Sequence, residues 1–265
     1  MDMEFETLKL DVADHLATVT LNRPDKLNSL SLQLLVDLRS AFKHITATPD
    51  IRGLLITGAG RGFSAGADLT ADKTKFNMNP DDAGESLRDY FVPPFHLLRD
   101  MNIPTVAAVN GPCAGAGMSL ALTCDIVVAS RSAFFMQAFV QIGLVPDTGS
   151  SWLVSKALGP ARAKALMMLG ERLSAEQAAE WGLIWKCVDD DKLMAEAGAI
   201  ASKLANGPTY TYQHIKKLGN AAEHNSLRDQ IHLENEFQML MRDSGDTQEA
   251  RAAFLEKRKP VFKGR

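Results

Sequence analysis

The chain has 265 residues, 46% of them hydrophobic, enough for one large α/β domain, or a domain with an appendage, around a sizeable core. A net charge of −3, with 29 Lys and Arg scattered along the sequence, leaves no electrostatic footprint for nucleic acid or an anionic membrane; an anionic ligand has to be met by a few local cations. Cys113, Cys124 and Cys187 stand singly without metal-ligand or redox spacing, and the N-terminal MDMEFETLKL lacks the segments of a secretory signal, which together point to reduced thiols in a cytoplasmic protein.

In chain order, residues 5–12 and Leu16–Leu21 alternate apolar and polar side chains around Ala13-Asp14, the pattern of a β-hairpin. Leu32, Leu35, Val36, Leu38, Phe42 and Ile45 recur at helical spacing, with Ser29 or Ser31 available as N-cap and Pro49-Asp50 as the stop. Residues 53–57 predict a buried strand that runs into GAGRGFSAGADL at 58–69, followed by a polar surface loop over 70–84 and a helix over about 85–101. Residues 103–130 then read as a buried strand at Thr105–Val109, a glycine-rich turn, a buried helix and a second strand. Asn110-Gly111-Pro112 breaks that run into pieces too short for a membrane span. Strands at 126–129 and 133–136 lead to a loop over 141–149, after which helices dominate, expected at 151–158, 160–169, 174–181, 190–205, 208–222, 226–242 and 247–258. Ser174-Ala175-Glu176-Gln177 has the form of a capping box. Residues 1–200 are therefore expected to form an α/β core, and 201–265 a C-terminal helical region.

Two glycine-rich turns carry the candidate chemistry. A strand that runs through small residues into a helix aims free backbone N–H groups at whatever sits before the helix, so Gly115-Ala116-Gly117 is a candidate for holding a reactive carbonyl. The same glycines would serve plain close packing of helix on strand. Gly60-Arg61-Gly62-Phe63-Ser64-Ala65 matches a dinucleotide-binding spacing, but a polar loop follows where the fingerprint needs a helix, and no Gly-Lys-Ser/Thr follows either turn. What remains is a pair of turns at the ends of neighbouring strands, able to form one oxyanion hole.

These residues reach a resemblance. Residues 62–69 (GFSAGADL), 108–111 (AVNG) and Gly115-Ala116-Gly117, with Leu21-Asn22-Arg23-Pro24, 173–178 (LSAEQA) and 254–260 (FLEKRKP), closely resemble the enoyl-CoA hydratase/isomerase (crotonase) superfamily over nearly the whole chain. The resemblance implies an α/β spiral of ββα units with a C-terminal helical region that serves oligomerisation, as a homotrimer or dimer of trimers, and covers the ligand. It implies an acyl-CoA thioester as substrate, so that CoA arrives as part of the substrate and no metal or redox cofactor is needed. The thioester oxygen would accept from the N–H groups of Ala67 and Ala116, beside Gly115; Ala65, Asp68 and Leu69 match the segment lining the CoA adenine pocket. Lys26 is a candidate for the CoA phosphates, and Phe254 and Lys257 for a CoA of the same or a neighbouring subunit.

A hydratase of this superfamily uses two glutamates to hold and split water, and their positions correspond here to Ser119 and Phe139, neither able to exchange a proton at neutral pH. The carboxylate that remains is Asp147, at a position where an acidic residue occurs in members that isomerise double bonds or ring epoxides and in a dehalogenase. By spacing alone it would serve to cap the helix that follows. Apolar neighbours Ile142, Leu144, Val145 and Trp152 are expected to raise its pKa, suiting it to take a proton and return it. Pro146-Asp147, Gly149, Trp152 and 179–185 (AEWGLIW) look most like the branch that isomerises ring-1,2-epoxyphenylacetyl-CoA to its oxepin. The expected activity is that reaction or a 3-enoyl to 2-enoyl shift through an enolate; the alternatives are an enoyl-CoA hydratase, a non-catalytic acyl-CoA-binding homologue, and a dehalogenase assisted by His96. Tyr90, Phe91, Phe95, Met136 and Phe139 are expected to line the acyl pocket.

Overall fold

A computed structural model describes residues 4–70, 76, 82 and 84–264. The expected surface loop at 70–84 lies for the most part outside the described residues. The hairpin forms from β1 (Leu8–Ala13) and β2 (Leu16–Leu21), paired antiparallel. Helix α1 (Leu32–Ala47) follows, and of the two candidate caps it is Ser31 whose hydroxyl accepts from Leu34 N–H. Strand β3 (Gly53–Gly58) pairs parallel to β2.

The helix expected over 85–101 divides in two. Residues Ser86–Phe91 form a wide π-helical turn, closed by Val92 N–H on Leu87 O, before α2 (Val92–Arg99). Pro93 and Pro94 supply no N–H, so the carbonyls behind them lose their usual donors and the turn can widen.

The central stretch runs through β4 (Thr105–Val109), β5 (Cys113–Ala114), α3 (Ala116–Thr123), β6 (Ile126–Ser130) and β7 (Phe134–Met136). Next come α4 (Ser150–Leu169), β8 (Arg172–Ser174), α5 (Ala175–Glu180), β9 (Lys186–Val188), α6 (Leu193–Ala205), α7 (Thr209–Ala222), α8 (Leu227–Arg242) and α9 (Gly245–Leu255). Gly159, at φ 72, breaks α4 into the two helices expected from the sequence, and Pro160 opens the second. The boundary expected at residue 200 falls inside α6.

The main sheet has the order β1-β2-β3-β4-β6-β9 and is parallel apart from β1; β5, β7 and β8 form a second, small sheet. Both faces of the main sheet are covered, which is why β3 and β4 read as unbroken apolar runs. Leu54, Ile56, Ala107 and Val109 join the large core with α1, α2 and α3, while Leu55, Val106 and Ala108 pack on Leu193, Ala197 and Ala201 of α6. Cys113 and Cys124 are free and buried in this interior, and burial pushes the Cys124 thiol up to about 12. Among the described residues no helix is long and apolar enough to cross a membrane.

Candidate active site

The two glycine turns leave neighbouring parallel strands, β3 and β4, at the same end, and a set of backbone bonds aligns them. Leu30 donates to Gly66 O (2.7 Å) and accepts from Asp68 N–H (3.1 Å), so the intervening Ala67 turns its own N–H away from Leu30. Ser64 brackets Cys113 in the same way, donating to Pro112 O (3.1 Å) and accepting from Ala114 N–H (2.9 Å). Segment 64–68 thus lies between 27–30 and 112–114, with the Ala67 N–H on the side of residues 114–116.

Glycines make this approach possible. A Cβ on Gly66 would stand 2.8 Å from Ala114 O and 3.6 Å from Ala116 N, and one on Gly117 would stand 2.6 Å from Ser64 Oγ. Gly115, at φ 51 and ψ −128, turns the chain into α3, and its N–H is held by Met136 O at 2.9 Å. Ala116 is then the first residue of α3, with an N–H that has no partner in its own helix. Close packing and donor presentation, the two readings open at the sequence level, are therefore served by the same glycines. The N–H groups of Ala67 and Ala116 donate to nothing among the described residues.

Asparagines and an arginine that the sequence reading gave no role brace this turn. Asn28 Nδ2 donates to Ala59 O and Gly62 O, and Asn110 Nδ2 to Gly58 O and Gly60 O. Arg23 Nη2 reaches Asp68 Oδ2 at 2.7 Å. Burial pushes the Asp68 carboxyl up, but hydrogen bonds from Arg23 and Thr70 outweigh it and hold the group below the ordinary carboxylate range. The signal for Arg23 was present in Leu21-Asn22-Arg23-Pro24; a lone buried Asn gives none.

Of the other expected residues, Lys26 lies exposed on the turn Pro24–Lys26, next to Leu27, whose carbonyl accepts from Ala65 N–H. Ala65 and Leu69 are exposed on the same segment, so Lys26, Ala65, Asp68 and Leu69 are brought together. Phe254 and Lys257 are not. Phe254 lines a cavity of about 330 Å³ with Pro208 and Phe262. Arg52, just before β3, bonds Thr209 Oγ1, Gly207 O and Phe262 O there, about 17 Å along the strand from the glycine turn. Lys257 follows α9 at φ 55, exposed. Within one chain Phe254 lies toward the far end of β3 from the turns, which leaves a CoA of a neighbouring subunit as the form of the expectation that fits it.

Asp147 lies in the loop between β7 and α4. Its carboxylate does not cap α4: the N-cap is Gly149, and Ser150 N–H bonds the backbone carbonyl of Asp147 at 2.9 Å. Among the described residues its one side-chain partner is Thr148, whose hydroxyl donates to Oδ1 at 3.1 Å. Partial burial pushes the Asp147 carboxyl above its ordinary value, against the lowering by Thr148. The expected cause differs in detail. Ile142, Leu144 and Val145 are themselves 52%, 56% and 80% exposed, past the turn Ala138–Ile142 that ends on left-handed Gly143. Thr148 and Gly149 are both left-handed, at φ 49 and 78. A β-branched residue there is strained and must be held by its surroundings.

Ser119 and Phe139 are both buried, and Ser119 Oγ has no hydrogen-bond partner among the described residues. A cavity of about 460 Å³ opens beside the Asp147 loop, lined by Thr148, Gly149, Trp152, Thr123, Phe95 and His96 among others. Of the five side chains expected for an acyl pocket, Phe95 alone lines it; Tyr90 instead packs edge-on against Phe76, and Phe139 sits below Gly115, 3.8 Å from where its Cβ would be. Among the described residues no three His, Cys, Asp or Glu side chains cluster as a metal site requires.

Residues 11–265 match the family model described as enoyl-CoA hydratase/isomerase. A 1,2-epoxyphenylacetyl-CoA isomerase of Escherichia coli is 45% identical over 248 residues, 94% of this chain and 95% of that protein. A "Probable enoyl-CoA hydratase" of Rhodobacter capsulatus is 38% identical over 99% of this chain and 100% of its own length. The crystal structure of an enoyl-CoA hydratase from Bacillus anthracis superposes with a TM-score of 0.90 at 30% identity, covering 98% of this chain and 100% of that one.

Proposed function

The chain belongs to the enoyl-CoA hydratase/isomerase family of enzymes, with that family's fold, and from this premise we propose that it is an acyl-CoA isomerase working with one carboxylate and two backbone donors. Asp147 removes a proton from C2 of a 3-enoyl-CoA. The electron pair moves onto the thioester oxygen, and the resulting enolate accepts hydrogen bonds from the N–H groups of Ala67 and Ala116. Protonated Asp147 then returns the proton to C4, giving the conjugated 2-enoyl-CoA with no net gain or loss of atoms. Preorganised donors on the developing oxyanion contribute on the order of 3 kcal/mol each to the transition state.

The observation that carries this reading is the state of Asp147: half-buried, shifted upward, and free of the capping role that its position suggests. A raised carboxylate is a better proton acceptor and returns the proton less readily to water. Ser119 and Phe139, at the positions matching the paired glutamates of a hydratase, carry no ionisable group, which argues against water addition. The same carboxylate and donors would serve opening of a ring 1,2-epoxide on a phenylacetyl thioester, and the 45% identity to an isomerase of that substrate favours this as the second reading.

With 3-hexenoyl-CoA deuterated at C2, the protein is expected to remove a C2 deuteron and to deliver it to C4. Asp147→Asn should lose both by about 10³-fold; label transfer surviving that substitution would contradict the assignment.

A further inference from the structure

The loop that carries Asp147 is exposed over residues 140–145, where Gln141 Nε2 on Gly170 O at 3.0 Å ties it to the end of α4, well away from the carboxylate. Two consecutive left-handed residues follow Asp147. A carboxylate that must meet a carbon atom to within a fraction of an ångström needs a better anchor than this. The anchor stands at the two ends of the loop. Gln137, just past β7, and Ser150, the first residue of α4, are both fully buried. Gln137 Nε2 donates to Ser150 Oγ at 2.7 Å, and the Ser150 hydroxyl faces Gln137 Oε1 at 2.9 Å. The same Nε2 lies 3.1 Å from Met118 Sδ, two residues beyond Ala116 on α3, and the neighbouring Met136 O holds Gly115 N–H.

We propose that Gln137, clasped to Ser150, is a positioning residue that fixes the Asp147 loop relative to the Ala116 donor. One side chain ties the start of the loop, its end and the donor helix to a common point. The inference rests on the reading of Asp147 as the proton carrier. It adds a device that neither motif nor spacing in the sequence reveals.

The test uses Gln137→Met, which keeps an unbranched side chain and removes both amide atoms, together with Ser150→Ala and the double variant. Each single variant should speed amide hydrogen exchange across residues 138–149 at least about tenfold, with β3 and β4 unchanged. With 3-hexenoyl-CoA, kcat should fall about 10- to 100-fold while KM stays within about threefold. The single variants leave a buried polar atom unpaired and should melt lower. The double variant leaves none and should regain melting temperature while kcat stays low. Unchanged loop exchange, or a kcat that recovers along with melting temperature, would overturn the proposal. Activity persisting in Asp147→Asn would overturn the role of Asp147 instead, and loop exchange alone would then decide whether the clasp holds the loop.

Discussion

Ionised Asp147 is held by the folded chain in surroundings that favour its protonated form, since burial raises it and Thr148 offsets only part of that. The sign of the consequence for stability follows from linkage. A carboxyl raised in the folded state contributes stability that is fully present below the unfolded value near 3.8 and is lost as pH rises through the folded value. Asp147→Asn should therefore melt higher than the parent at neutral pH, with the gap closing toward pH 3.8, as thermal scans across pH would show. Activity runs the opposite way: kcat/KM should rise with pH through the raised pKa of the base, and a flat acid limb would contradict its role. The position of Asp147 was legible in the sequence because the surrounding motif is; its freedom from capping was not. That freedom depends on Gly149 taking the N-cap and on a backbone carbonyl, rather than the carboxylate, meeting Ser150. Gln137 and Asn28 were invisible for a related reason: a buried amide is defined by partners distant in the sequence.

The decisive contact between elements is α3 against the segment after β3. Gly117 has no room for a side chain, because a Cβ there would meet Ser64 Oγ and Ser64 O at 2.6 Å. Gly117→Ala should force the two turns apart, costing about 1–3 kcal/mol by denaturant unfolding. It should also lower kcat for isomerisation far more than this loss of stability removes folded protein. Long elements with a strong period, such as α1, were legible to within a residue or two. The strands β5, β8 and β9 were missed, since two or three residues show no period and their pairing partners lie elsewhere in the chain. The π-turn before α2 was missed as well, although Pro93-Pro94 marks its site.

At the level of the molecule, the fold follows from a parallel sheet with both faces covered and with its glycine turns gathered at one end. That much could be argued from motifs alone, and the match of residues 11–265 to the family establishes it. The place of the C-terminal residues could not: Asp246 of α9 holds Lys263 and Gly264 N–H while Arg52 holds Phe262 O at the far end of β3, which puts Phe254 away from the turns of its own chain. The proposed chemistry turns on one carboxylate, Asp147, with Ser119 and Phe139 at the positions that the resemblance matches to the two glutamates of a hydratase. Its most direct test is an ultraviolet assay of the purified protein with 3-hexenoyl-CoA, following conjugated thioester, beside crotonyl-CoA hydration and with Asp147→Asn as control. Isomerisation without hydration, lost in Asp147→Asn, is the predicted result. Efficient hydration of crotonyl-CoA, or isomerisation that survives Asp147→Asn, would contradict the single-carboxylate account.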